Sequence, residues 1–140
     1  MAHASWRAII RSIIRRVIEI MKNKFGSQEK DILVGVGPKI CSCHFEVQED
    51  VATKFSQKVL IKRKNRLFID LPLAIKLEVI KNGIRPKNIE EIKECTYCLK
   101  NKYFFFRRAA HLGEPRFWQE KPKELKAMMA LIGVKKLTDS

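Results

Sequence analysis

Hydrophobic residues recur at helical spacing from the start of the chain. Over Trp6–Met21 the apolar positions follow the i, i+3, i+4, i+7 rule. Arginines recur every fourth residue on the opposite face, at Arg7, Arg11 and Arg15. The pattern predicts one continuous amphipathic helix, which we expect to end near Gly26, because glycine readily takes the left-handed conformation of a helix C-cap.

Short apolar runs and helical patterns alternate through the rest of the chain. Glycine and proline close the apolar run over residues 31–38, which therefore predicts a buried strand. Pro72 suits the first turn of a helix and Gly83 suits its C-cap, so residues 72–83 predict a second long helix. The other predicted elements are a short helix over 45–59, strands over 66–71, 88–96 and 102–106, and a helical stretch over 122–133.

Helices that alternate with strands indicate a layered domain of the α+β or α/β type. We therefore predict a mixed β-sheet flanked by helices, with the N-terminal helix packed on it. The 140 residues are the size of one domain. Charged residues interrupt every long apolar window, which excludes a transmembrane helix and a membrane partner of that kind.

The chain is strongly basic, with a formal net charge of +14. A positive field of this size attracts phosphate-bearing partners, from nucleotides to nucleic acid, without choosing between them. The basic residues are spread along the chain, and the densest run is "KRKNR" at residues 62–66. Such a short run predicts a solvated turn before a strand more readily than a dedicated nucleic-acid patch.

Four cysteines form two close pairs, Cys41 with Cys43 and Cys95 with Cys98, and His44 follows the first pair. No signal peptide opens the sequence, so we expect reduced thiols and a cytoplasmic protein. The first 18 residues are rich in arginine and free of acids, which is also typical of a mitochondrial presequence, but the cytoplasmic interpretation is favoured. Four thiols could hold a structural zinc ion, because tetrahedral Zn²⁺ accepts four sulfurs. The spacing alone favours the other interpretation, buried inert thiols.

Four further residues are candidates for ligand contacts. His3 could bind a metal, and Arg7 could hold a phosphate beside the free amides of a first helical turn. Taken singly, a frayed terminal histidine and a solvated arginine are the commoner interpretations. Arg107 and Arg108 could bind an anion together, or be solvated loop charges. Residues 35–38, "GVGP", lack the glycine spacing of a phosphate loop and predict a tight strand exit.

Six segments, taken in order, resemble one family. "HASWRA" resembles the His-Ala-Gly-Trp-Arg-Gly motif of the laccase-domain proteins, "VGVGPKI" resembles their Gly-Ile-Gly-Pro-x-Ile, and "CHFEVQEDV" their Cys-Tyr-Glu-Val. "FIDLPLAIKLEVIKNGI", "ECT" and "YFFFRR" follow in the family's order. Members of this family are called multicopper polyphenol oxidases, purine nucleoside phosphorylases with adenosine deaminase activity, and peptidoglycan editing factor.

The resemblance implies a laccase-domain fold that is incomplete at its N-terminus. Residues 1–113 resemble the C-terminal half of the domain, and residues 114–140 form a divergent basic tail. His3 takes a metal-ligand position; zinc is the implied ion, and copper is also an option. The family's other ligands, a histidine and the cysteine of an Ala-Asp-Cys motif, are absent from this chain. Cys43 and Cys95 take family positions that are not known as ligands.

The resemblance also implies a function, phosphorolysis of adenosine or inosine with some adenosine deamination. The implied partners are a purine nucleoside and phosphate, with Arg7, Arg107 and Arg108 as anion contacts. Because a catalytic zinc normally needs three protein ligands, we expect the chain alone to bind zinc weakly or not at all at His3 and to have little or no activity. We also expect it to self-associate or to need a missing N-terminal half. The alternative is a non-catalytic basic module that binds nucleic acid or another acidic partner.

Overall fold

A computed structural model describes residues 2–103 of the chain. Its helices are α1 (Trp6–Ile10), α2 (Ile13–Phe25), α3 (Glu49–Ala52) and α4 (Leu71–Lys81). Its strands are β1 (Val34–Val36), β2 (Glu46–Val47), β3 (Leu60–Arg63), β4 (Arg66–Ile69) and β5 (Ile89–Glu91). Single 3₁₀ turns lie at Glu29–Asp31, Gln57–Val59 and Pro86–Asn88.

The prediction of one continuous N-terminal helix is wrong, because Ser12 separates α1 from α2. Ser12 has a left-handed backbone with φ of 60°, and its N–H donates to the Ile9 carbonyl at 2.9 Å. Ile9 and Ile18 are nine residues apart and would point in opposite directions from a straight helix of about 3.6 residues per turn. Both are nevertheless buried in the same core. The turn at Ser12 therefore reorients α1 relative to α2, so that Ile9 and Ile18 both pack into the core.

Local sequence determines both ends of this helical region. The Ser5 hydroxyl accepts a hydrogen bond from the Ala8 N–H at 3.2 Å and caps the start of α1. Gly26 has φ of 65° and its N–H donates to the Lys22 carbonyl at 3.1 Å. The predicted glycine C-cap is thus confirmed.

The strands form two small sheets. β1 pairs with β5 in parallel, with Val34 opposite Ile89. β4 lies between β2 and β3 in an antiparallel sheet, with Phe68 opposite both Glu46 and Ile61. The predicted α+β class with mixed strand directions is confirmed, although the described strands make two sheets rather than one. The strand predicted over residues 31–38 is shorter, because Asp31 lies in the 3₁₀ turn and only Val34–Val36 pairs with β5.

The short helix predicted over residues 45–59 is largely wrong. Its first part is β2, only Glu49–Ala52 is α-helical, and it ends in a 3₁₀ turn. Pairing of Val47 with Leu67 on β4 outweighs the local helical pattern. The strand β3 is a further element that the pattern did not predict. The basic run at 62–66 is the exposed end of the β3–β4 hairpin, as predicted, and Lys64 has φ of 43° in its turn.

The core lies between the helical region, α4 and the antiparallel sheet. Asp70 caps α4 by accepting from the Leu73 N–H at 3.0 Å, and Pro72 lies in the first turn as predicted. Ile69, Val79 and Ile84 are the most deeply buried side chains, at 1% exposed or less. Between residues 2 and 103, none of the helices has the length and apolar character needed to cross a membrane.

Several predictions fall outside the described residues. The aromatic strand over 102–106 is described only at Lys102 and Tyr103, which have no regular structure. Arg107, Arg108 and the helix predicted over 122–133 lie outside entirely, as does the tail at 114–140.

Candidate metal centre

Two loops meet where the parallel strands β1 and β5 end. The pairing continues past the strands as a parallel bridge between Lys39 and Cys95. There the Thr96 N–H donates to the Lys39 carbonyl at 3.0 Å, and the Lys39 N–H donates to the Glu94 carbonyl at 3.3 Å. The carboxyl ends of parallel strands lie at the same edge of their sheet. The loop at 41–44 is therefore held against the loop at 95–98.

These loops bring three thiols and one imidazole together. The Sγ atoms of Cys43 and Cys98 are 4.0 Å apart. The Nδ1 atom of His44 lies 3.0 Å from Cys43 Sγ and 3.5 Å from Cys98 Sγ. With Cys95 Sγ, all four ligand atoms lie within 4.8 Å of one another, an arrangement that could hold a metal ion. It is the one such group of three or more potential ligands in residues 2–103.

Backbone N–H groups surround the sulfur of Cys95. The Cys41 N–H donates to Cys95 Sγ at 3.4 Å, and the backbone of Cys98 and Tyr97 also favours the ionised sulfur. Burial opposes ionisation of Cys95, but these donors outweigh burial and lower the pKa of its thiol to about 6. The site therefore favours a negative sulfur at this position.

The neighbouring thiols respond in the opposite direction. Loss of solvation, followed by the hydrogen bond to Cys95, raises the pKa of Cys41 to about 12. The same two causes, with a further hydrogen bond to Cys43, raise the pKa of Cys98 to about 12. A first thiolate at Cys95 thus opposes a second one nearby. A bound cation would supply the positive charge that removes this repulsion.

The surroundings hold the histidine and leave part of the cluster open to solvent. The rings of His44 and Tyr97 stack with centroids 4.2 Å apart. Cys95 is buried at 8% exposed, whereas Cys43 and Cys98 are exposed. The interpretation of four buried inert thiols is therefore wrong for Cys43 and Cys98.

The four-thiol zinc set also changes. His44 is a member of the cluster, whereas Cys41 is not. Cys41 instead contributes its backbone N–H to Cys95. The signal for this was present in the sequence, because a histidine directly follows Cys43.

The predicted ligand residues near the N-terminus lie elsewhere. His3 is exposed in the segment before α1 and does not belong to the cluster. Arg7 is exposed in the first turn of α1, and its guanidinium carbon lies 4.6 Å from the centroid of the Trp6 ring. Ser5, between these two residues, has an extended backbone conformation with φ of −63° and ψ of 159°, which is common for residues that carry a side chain.

Comparison with known proteins identifies the family. Residues 1–116 match the model of the multi-copper polyphenol oxidoreductase laccase family. The chain belongs to this laccase-domain family. The resemblance of the six motifs is thereby confirmed.

Curated relatives in this family carry enzyme names. The chain is 28% identical over 114 residues to a purine nucleoside phosphorylase of Bacteroides thetaiotaomicron, covering 76% of this chain and 42% of the relative. It is 30% identical over 122 residues to a purine nucleoside phosphorylase of Rickettsia conorii, covering 81% and 49%. A relative from an unknown prokaryotic organism, 28% identical over 115 residues and covered to 44%, is named adenosine deaminase. The laccase-domain chain thus spans about half the length, or less, of these relatives.

Solved structures show the same fold. The hypothetical protein YfiH of Bacillus licheniformis superposes with a TM-score of 0.72 at 26% identity, over 78% of this chain and 44% of that one. YlmD of Geobacillus stearothermophilus gives the same TM-score at 23% identity, over 78% and 43%. The laccase-domain fold, covering part of those chains, is confirmed.

Proposed function

We propose that this chain provides the His3–Arg7 segment of a purine nucleoside phosphorylase site. The observation that carries the proposal is that this laccase-domain chain exposes both side chains at the start of α1. Ser5 caps α1, so that Arg7 lies in its first turn with an exposed side chain, and His3 is exposed just before it. Both side chains are accessible to a ligand. The names of the curated relatives indicate a purine nucleoside and phosphate as that ligand.

In this proposal the arginines bind the attacking phosphate. A guanidinium donates two parallel hydrogen bonds to phosphate oxygens and carries a permanent positive charge. Arg7 would orient the phosphate toward the anomeric carbon of the ribose, where it displaces the purine base. Arg107 and Arg108 are proposed to act on the same anion. The net charge of +14 increases the local concentration of phosphate around the protein.

The family's metal does not fit the described residues as they stand. His3 provides one ligand, whereas a catalytic zinc or copper site takes about three from the protein. The cluster of Cys43, His44, Cys95 and Cys98 does not replace it, because His3 is not a member. We therefore propose that the chain has little activity until a second polypeptide segment completes the site.

Adenosine and inosine are the proposed substrates. The relative named adenosine deaminase favours adenosine, and loss of its amino group would be a second activity of the same site. The free thiols fit the reducing cytoplasm that we propose as the compartment.

The test measures release of adenine and hypoxanthine from adenosine and inosine at varied phosphate concentration. The full chain is assayed alone and with the N-terminal part of a relative supplied in trans. Activity should be low alone and increase in the mixture, and Arg7→Ala should raise the KM for phosphate. Arg16→Ala, which removes an exposed arginine of α2, is the matched control. Full turnover by the chain alone that persists in His3→Ala and Arg7→Ala would contradict the proposal.

The β3–β4 hairpin supports the second candidate function, nucleic-acid binding. Its end exposes Lys62, Arg63, Lys64 and Arg66. Two of these four cations also make contacts within the fold, which limits the support for this alternative. Arg66 is paired with Glu46 at 2.6 Å, and Arg63 lies over the Phe68 ring at 5.1 Å. Binding to random RNA that weakens steeply with salt, with a slope equal to several phosphates, would favour this alternative.

A further inference from the structure

We infer that Cys43, His44, Cys95 and Cys98 bind a structural zinc ion that joins the loops after β1 and β5. This site is separate from the His3–Arg7 segment and does not depend on the proposed nucleoside phosphorylase activity. Two ligands come from each loop, so the ion would connect segments 51 or more residues apart in sequence.

The distances agree with a tetrahedral zinc site. Zinc–sulfur bonds of about 2.3 Å and zinc–nitrogen bonds of about 2.0 Å give tetrahedral edges of about 3.5–3.8 Å. The separation of Cys43 Sγ from Cys98 Sγ is 4.0 Å, and that of Cys98 Sγ from His44 Nδ1 is 3.5 Å. Cys43 Sγ and His44 Nδ1, at 3.0 Å, need to move apart by a few tenths of an ångström. The longest separation in the group is within 4.8 Å, so the four ligand atoms need to approach one another by about 1 Å at most to form the tetrahedron.

The donor set selects zinc among the common divalent ions. Three thiolates and one imidazole are soft and borderline ligands, which favour zinc over magnesium, calcium or manganese. Four protein ligands also close the coordination shell, which is the arrangement of structural rather than catalytic zinc sites. The inferred ion would therefore stabilise the fold and would not bind substrate.

The backbone supports the ligand sulfur of Cys95. The Cys41 N–H donates to this sulfur at 3.4 Å, and it comes from the opposite loop. Second-shell donors of this kind orient a metal-bound thiolate and stabilise its charge. Stacking of His44 on Tyr97 holds the fourth ligand at the same loop.

The position in the fold gives the ion a structural role. β1 and β5 pair over three residues only, and the bridge from Lys39 to Cys95 extends that pairing up to the cluster. A two-stranded sheet is marginally stable in water. An ion held by both loops would close the end of this sheet and hold the two strands in register.

The experiment measures metal content and ligand type in the full chain. The protein is purified under reducing conditions and dialysed against metal-free buffer, and zinc is measured by mass spectrometry. We expect one zinc per chain, with X-ray absorption of the zinc edge showing three sulfur neighbours and one nitrogen. Replacement of zinc by Co²⁺ should produce thiolate-to-cobalt charge transfer and the strong visible bands of a tetrahedral site. Both spectra use the wild-type chain, so they remain informative if a ligand variant fails to fold.

Variants then assign the ligands. Cys98→Ser and His44→Ala, both at solvent-accessible positions, should weaken zinc binding by more than about 100-fold, the upper range for loss of an outer-shell partner. Cys41→Ser keeps its backbone N–H and should bind zinc within about 10-fold of wild type. His3→Ala should leave zinc binding unchanged, which separates this site from the proposed nucleoside site.

Three results would overturn the inference. One is a wild-type chain that takes up no zinc and gives no cobalt–thiolate absorption. A second is loss of the ion in Cys41→Ser while His44→Ala retains it, which would indicate four sulfur ligands. A third is a Cys43–Cys98 disulfide that persists in the presence of zinc and reductant.

Discussion

The N–H of Cys41 donates to the sulfur of Cys95 at 3.4 Å, across 54 positions of sequence. This contact joins the loop after β1 to the loop after β5. Cys95 is the buried member of the metal cluster, whereas Cys43 and Cys98 are exposed. Cys95 therefore connects the cluster to the core, and its sulfur is both a candidate metal ligand and a hydrogen-bond acceptor for the backbone.

Cys95→Ala should cost stability in two separable parts. Without zinc, loss of the buried sulfur should lower the free energy of unfolding by about 1 kcal/mol. With zinc at about 100 times its dissociation constant, the wild type should gain about 2.7 kcal/mol and the variant should gain much less. Urea unfolding with and without zinc measures both parts. Cys41→Ser is the control, and an equal zinc effect in Cys41→Ser and Cys95→Ala would contradict the prediction.

Ser12→Gly should stabilise the protein. Ser12 has φ of 60°, a conformation that costs a side-chain-bearing residue about 1 kcal/mol and costs glycine little. Glycine also loses more backbone entropy on folding, so we expect a net gain of about 0.5 kcal/mol in the free energy of unfolding. Ser12→Val should instead destabilise, because a β-branched residue is strained there. A thermal unfolding series checks the order Gly, Ser, Val, and the reverse order would show that α1 and α2 are one helix.

Ile69→Ala should be among the most damaging core substitutions. The Ile69 side chain is fully buried at 0% exposed. Truncation of a buried isoleucine removes transfer free energy and leaves a cavity, which together cost about 2–5 kcal/mol. Ile20→Ala, at a side chain that is 48% exposed, should change the free energy of unfolding by less than about 0.5 kcal/mol. Urea unfolding compares the pair, and similar losses at both positions would place the core elsewhere.

The ion pair between Lys22 and Glu29 should make stability depend on acid pH. The hydrogen bond from Lys22, then one from the Glu29 backbone, lowers the pKa of Glu29. Because the folded pKa is below the unfolded one, the pair stabilises the fold above the unfolded pKa, and this contribution is lost as pH falls through the folded pKa. Glu29→Gln should therefore flatten the acid limb of a stability–pH curve. Glu90→Gln, at an exposed carboxylate of β5, is the control, and an unchanged curve for Glu29→Gln would contradict the assignment.

The glycine cap of α2, the helix α4 and the family could be predicted from the sequence because each depends on local or ordered residue patterns. Gly26 and Pro72 act through their own backbone geometry, so their positions are determined without knowledge of the fold. The six motifs identify the laccase domain because their order is specific, although each one is short.

The break at Ser12, the strand β2 and the ligand set of the metal cluster were decided by tertiary structure. The apolar pattern at residues 6–21 is compatible with one helix, and only the need to bury both Ile9 and Ile18 in one core favours a turn. Val47 becomes a strand residue because β4 offers it a partner. The sequence contained all four residues of the cluster, but spacing alone does not tell which side chains converge. Parallel pairing of β1 with β5 decides that, because it brings His44 and Cys98 together from loops 54 positions apart.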